Sequence, residues 1–181
     1  MSIFIETPRL YIREMLPEDD DGMFKMDSDK EVHRYLGNQP VTSIEQVRAV
    51  INLVRSQYEQ FGIGRWAVIK KDTNEFIGWT GFKYMTEPVN KHVNHYDFGY
   101  RFQSAHWRQG YATESALASL KYGLEVLSLK DIYAMTLVDN IGSRKTLEKV
   151  GFSYVETFDY DGPNVTPETA AKPTRWYKFE Q

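Results

Sequence analysis

Hydrophobic and polar positions alternate near the start of the chain. Leu10 and Ile12 oppose Tyr11 and Arg13, which predicts a strand over 10–13 behind a shorter apolar segment at 3–6. Pro17 and the acidic run 18–21 then open a short helix reaching about Asp27, because proline and carboxylates favour a first helical turn. A second short helix is predicted near 30–36, stopped by Gly37. The longest periodic stretch follows. Ile44, Val47, Ile51, Val54, Tyr58 and Phe61 recur at intervals of three and four, placing one apolar stripe on a helix over 43–61. Ser43 with Gln46 reads as its capping box and Gly62 as its stop. At 1.5 Å per residue such a helix spans about 27 Å, enough to cross a small sheet.

The period then changes. Segments 66–69, 76–85 and 96–102 read as strands separated by polar loops too short for helical crossovers, which predicts an antiparallel meander. Over 110–127 the helical spacing returns with Ala112, Ala116, Leu120 and Leu124. A strand at 132–138 and a helix over 140–150 follow, the latter capped by Asn140 and stopped by Gly151. Strands at 152–160 and 175–179 close the chain around a Pro/Gly-containing loop at 161–173. The order predicts an α+β, mixed α/β fold built on one sheet.

Composition narrows the function classes. The 181 residues suit a single domain covering 1–181, long enough to bury a full core. The net charge of -3 argues against a nucleic-acid partner, which draws on a basic excess. No apolar run reaches the roughly 18 residues of a membrane span, and the first residues lack the pattern of a secretory signal. There is no cysteine, which excludes a disulfide framework, a thiolate nucleophile and a cysteine-ligated metal; a cytoplasmic location is the expectation. The aromatic fraction, 14%, is high for a soluble protein.

Candidate chemistry concentrates where the meander ends. The strand at 96–102 runs through Gln103-Ser104-Ala105-His106 into Trp107-Arg108-Gln109-Gly110-Tyr111-Ala112-Thr113-Glu114, where a helix begins at once. Small residues permit close backbone approach, and a helix start presents free N–H groups and a positive dipole end. The segment therefore reads as an anion site suited to a diphosphate, or as an ordinary strand-to-helix turn. It is neither a P-loop nor the dinucleotide fingerprint, whose glycine patterns are absent.

A second segment, Asn140-Ile141-Gly142-Ser143 followed by Leu147-Glu148-Lys149-Val150-Gly151-Phe152, caps and closes the next helix. With Glu6-Thr7-Pro8-Arg9-Leu10 and the Trp-x-x-Gly-Tyr-Ala-Thr-Glu loop, the chain resembles the GNAT superfamily of acetyl-CoA-dependent N-acetyltransferases. It is similar to the branch that includes ribosomal-protein-alanine N-acetyltransferases. The resemblance implies a GNAT acyltransferase fold, acetyl-CoA as cosubstrate and no metal. It implies amides of Arg108, Gln109, Gly110, Tyr111, Ala112 and Thr113 on the diphosphate, with backbone of Tyr100 and Phe102 along the pantetheine arm. Asn140 is expected to bond the pantetheine or cap its helix.

The implied reaction is direct attack of a primary amine, from a protein N-terminus or a small molecule, on the thioester. Many members carry a tyrosine acid where this chain has Leu147, so Ser143 is the candidate proton donor. Asp97, at the head of the strand, is the candidate base, and His92 and His95 are lesser ones. The two histidines are too isolated to argue for zinc. The missing tyrosine keeps a second reading open, an acyl-CoA-binding sensor without turnover. Tyr35, Trp79, Phe82 and Tyr84 border the expected acceptor groove, at most two of them facing it. The acidic run 18–21 suits a cationic amine. A monomer or a homodimer is expected.

Overall fold

A computed structural model describes residues 4–163 and 172–180. The chain order is β1 (Phe4–Glu6), β2 (Leu10–Glu14), α1 (Asp20–Asp27), α2 (Lys30–His33), α3 (Ile44–Phe61), β3 (Arg65–Lys70), β4 (Glu75–Met85), β5 (His95–Phe102), α4 (Tyr111–Glu125), β6 (Ile132–Leu137), α5 (Ile141–Lys149), β7 (Phe152–Asp159) and β8 (Pro173–Phe179). The eight strands form one sheet in the order β1-β2-β3-β4-β5-β6-β8-β7. Every neighbouring pair is antiparallel except β5 and β6.

The predicted elements are present with small shifts at their ends. Gln46 Oε1 accepts from the Ser43 amide at 3.1 Å, and α3 ends on Gly62 at φ 68°. The second short helix stops at His33 rather than near Leu36. The amides of Leu36 and Asn38 both donate to the His33 carbonyl, folding the chain into a turn before Gly37 at φ 91°. The last strand begins at Pro173, two residues early, and pairs it with Asp159. Of the loop at 161–173, residues 164–171 lie outside those described.

The alternation of side chains divides the core between two faces. On one, Ile12, Trp66, Val68, Phe82, Phe98 and Tyr177 pack with Ala116, Leu120 and Leu147 of α4 and α5. On the other, Ala67, Ile69 and Phe76 pack with Met23, Met26, Val47 and Ile51 of α1 and α3. Trp66, Phe82, Phe98, Trp176 and Tyr177 are among the fully buried side chains, so packing absorbs much of the aromatic content.

The feature that positions the site is the pairing of β5 with β6. Only Tyr96 with Ile132 and Asp97 with Tyr133 are in register. Beyond Asp97 the strands part, while β5 stays paired with β4 down to Phe102. A wedge therefore opens in the middle of the sheet.

Candidate active site

One edge of β5 lines the wedge. The Tyr96 amide donates toward β6, to the Asp131 carbonyl at 3.1 Å, and the Gln103 amide donates the other way, to Ile77 of β4 at 2.9 Å. Alternation then turns the backbone groups of Phe98, Tyr100 and Phe102 into the wedge. The Phe102 carbonyl is taken by the indole of Trp107, Nε1 to O 2.8 Å. Trp107, the first residue of the loop motif, thus closes the far end of the wedge. The edges of Phe98 and Tyr100 face no strand and are suited to an extended ligand carrying amide groups.

The edge runs directly into the loop before α4. Arg108 sits at φ 59° and Gly110 at φ 84°, so two left-handed residues bracket Gln109. Alternating conformations of this kind turn successive amides to one side. The first turn of α4 carries no side-chain cap, which leaves the amides of Gly110, Tyr111, Ala112 and Thr113 free for an anion. The residues fit a diphosphate: convergent donors, a helix dipole and a glycine where the ligand approaches.

Across the wedge stands α5. Asn140 Oδ1 accepts from the Ser143 amide at 3.1 Å and caps the helix. Tyr100 reaches over from β5, its hydroxyl donating to the Ser143 carbonyl at 3.0 Å and lying 3.3 Å from Ser143 Oγ. Burial pushes the Tyr100 phenol up to about 12, so it stays protonated at neutral pH. Leu147, one turn further on, is core. Side chains on a helix lean toward its N-terminus, so a group at position 147 would aim at the level of Ser143. The Tyr100–Ser143 hydroxyl pair occupies that level. The structure therefore brings together two residues named for different reasons, Tyr100 for its backbone and Ser143 for its side chain.

Asp97 points to the opposite face, that of α1 and α3. It is buried and ion-paired with Arg65, whose guanidinium also donates to the Asp97 carbonyl at 2.8 Å and to Gly81. Arg65, on β3, crosses β4 to reach β5. It passes over Gly81 and Gly99, where a Cβ on Gly99 would lie 3.1 Å from Arg65 Nη2. Burial pulls the Arg65 guanidinium down from its ordinary pKa, and Asp97 opposes that. Trp79 lies between Arg65 and Arg101, with the two guanidinium carbons 5.1 and 5.2 Å from its ring. Arg101 is in turn held by Asp27 at 2.8 Å. This cluster was not anticipated: the alternation marks who shares a face, but Arg65 and Asp97 meet only through the register of β3, β4 and β5.

The other candidates divide. Trp79 faces the Asp97 side, while Phe82 is core on the α4 face and Tyr84 packs against that core. Tyr35 lies under Arg34, 5.6 Å from guanidinium carbon to ring. His95 is buried against Tyr133 and Trp176 with neither ring nitrogen hydrogen-bonded; burial lowers its pKa. His92 stacks on Trp176 at 5.4 Å. Among the described residues no group of three or more His, Cys, Asp or Glu is placed to hold a metal. The acidic run is partly neutralised, Asp19 by Arg13 at 2.7 Å and Asp20 by Arg48 at 2.7 Å. No described helix is long and apolar enough to cross a membrane.

Known proteins share this fold. The model of the acetyltransferase (GNAT) domain matches residues 9–153. The uncharacterized N-acetyltransferase YoaA of Bacillus subtilis is 34% identical over 148 residues, covering 82% of this chain and 81% of that protein. A solved GNAT-family acetyltransferase from Bacillus anthracis is 27% identical, with a TM-score of 0.77 and 98% of each chain covered. A spermidine N-acetyltransferase from Vibrio cholerae, solved in complex with CoA and spermine, shares the fold at a TM-score of 0.72 and 17% identity, over 94% of this chain and 95% of that one. The split sheet, the uncapped helix after it and the match over 9–153 together place the chain in the GNAT family of acetyltransferases.

Proposed function

We propose that the chain transfers the acetyl group of acetyl-CoA directly to a primary amine, of a small molecule or a protein N-terminus. One observation carries the reading: the open edge of β5, beginning at the Asp97–Tyr133 pair, is followed in the chain by the short loop 103–110 that ends at the uncapped start of α4. Acetyl-CoA supplies the activated acetyl group. Arg108 to Thr113 hold its diphosphate through their amides, and the Phe98 and Tyr100 edge pairs with the amides of its pantetheine arm. An amide of that edge polarises the thioester carbonyl.

The two proton-transfer candidates flank the wedge from opposite faces. Ser143, fixed by Asn140 and Tyr100, offers its hydroxyl to the departing thiolate. Asp97, with Oδ2 engaged by Arg65, offers Oδ1 to the incoming ammonium and takes its proton through water. The chain acts in the cytoplasm as one acetyltransferase domain.

The test is release of free thiol from acetyl-CoA against a panel of polyamines, amino sugars, amino acids and peptide N-termini. The chain has no cysteine, so every thiol detected is product. Turnover with an amine supports the proposal. Binding of CoA with no release for any amine refutes it in favour of an acyl-CoA sensor. Asp97→Asn and Ser143→Ala should each lower turnover well beyond about threefold; if neither does, neither carries proton transfer.

A further inference from the structure

The sequence opens on Thr7-Pro8-Arg9-Leu10, a motif with no role in the reaction as derived above. In the structure this turn between β1 and β2 reaches the loop before α4. The Glu114 carboxylate accepts from Thr7 Oγ1 at 2.7 Å, from the Arg9 amide at 3.0 Å and from Arg9 Nε at 2.7 Å, with Arg9 Nη2 also 2.7 Å away. Arg9 Nη1 donates to the Gln109 carbonyl at 2.9 Å. Its guanidinium carbon stands 4.3 Å over the Tyr111 ring. A Cβ on Gly110 would lie 3.3 Å from Arg9 Nη2. One side chain therefore grips the loop on both sides of Gly110.

We propose that Arg9 is a positioning residue for cosubstrate binding, clamping Gln109 and Glu114 so that the intervening amides form one preset anion array. The proposal rests on the reading that this loop holds the diphosphate. Two points favour it over a merely stabilising ion pair. The β1–β2 hairpin is already held by its own ladder and by Leu10 and Ile12 in the core. The Arg9 side chain is 45% exposed, and exposed ion pairs contribute little to global stability. The loop, by contrast, needs outside support, because Arg108, which is not a glycine, sits at positive φ and its helix end is uncapped. Glu114 stays ionised: burial raises its pKa, but bonds from Thr7 and Arg9 outweigh that and hold it low.

The experiment titrates CoA into the full chain by calorimetry, alongside thermal melts. Arg9→Ala should weaken CoA by about 10- to 100-fold, the cost of losing a preset geometry. Arg9→Lys, which keeps the pairing with Glu114 but cannot fork to Gln109, should recover part of the loss. Glu114→Gln should weaken CoA as Arg9→Ala does. The melting point of Arg9→Ala should move no more than that of Lys25→Ala, which breaks an exposed pair elsewhere. With an active amine, the KM for acetyl-CoA should rise while kcat at saturation holds. CoA affinity unchanged in both Arg9→Ala and Glu114→Gln overturns the clamp and leaves the loop reading standing. Failure of the unsubstituted chain to bind CoA overturns the loop reading and the clamp with it.

Discussion

Alanine at Gly110 separates backbone strain from ligand recognition, because a matched control exists. Gly110 sits at φ 84°, and an alanine there pays the left-handed penalty of roughly 1–2 kcal/mol. The nearest atom to the new Cβ is Arg9 Nη2 at 3.3 Å, which has to give by only a few tenths of an ångström. Each kcal/mol moves the melting point of a domain this size by about 2–4 °C, so a fall of about 2–8 °C is expected. Gly62 sits at φ 68° with nothing within 4 Å of its would-be Cβ, at the end of α3 on the other face. Gly62→Ala should therefore melt lower by a similar amount. Only Gly110→Ala should lose CoA. Relieving φ swings the flanking amides, and losing two hydrogen bonds to a charged group costs about 3–6 kcal/mol. That is about 10²- to 10⁴-fold in Kd. Calorimetric titration with CoA, paired with melts of both variants, reads the two effects apart. If Gly110→Ala binds CoA within about threefold of Gly62→Ala, the diphosphate does not lie on this loop.

Three further outcomes follow from the same contacts. Arg65→Met strands the Asp97 carboxylate in a buried setting and should cost about 3–5 kcal/mol in urea melts, most of it regained in the Arg65→Met/Asp97→Leu double variant. Asn140→Ala removes the α5 cap and should cost about 1 kcal/mol by the same measurement, with Asn140→Asp close to the natural chain. His95 is held below its ordinary pKa by burial, so the unfolded chain takes up the proton first. Its contribution is complete above about pH 6.5 and shrinks as pH falls below that, so melts between neutral and mildly acidic pH should show a shallower decline in His95→Asn.

The elements were legible because their signals are local. The stripe on α3, its Gln46 box, the Gly62 stop and the Asn140 cap depend on neighbours within four residues, and each is found as the periodicity implies. Contacts that depend on register were not legible. Arg65 reaches Asp97 over two glycines on two other strands, and Arg9 reaches Glu114 across 105 residues of sequence. Glu114 reads locally as a first-turn acid favoured by the helix dipole; its work on the β1–β2 turn is visible only once the sheet is assembled. Nor does any residue between Asp97 and Phe102 announce that β6 leaves β5, since that parting is a property of two strands. Trp107 shows the same limit. Its use, closing the edge at Phe102, is a tertiary fact.

The wedge also bears on turnover. Because β5 and β6 share two register pairs, the sheet is in effect two half-sheets joined at a vertex, and the proposed arm along β5 would serve as the missing strand. The spent thiol carries the same arm and the same diphosphate as the acetylated one. On the proposed reading the edge and the loop hold reactant and product alike, and affinity gained there lowers both wells without lowering the barrier between them. On that reading acceleration has to arise beside the vertex, between Asp97 on one face of the sheet and Ser143 on the other. A firmer hold on the arm slows departure of the spent thiol, so strengthening the long edge would make this chain a better binder and a slower catalyst.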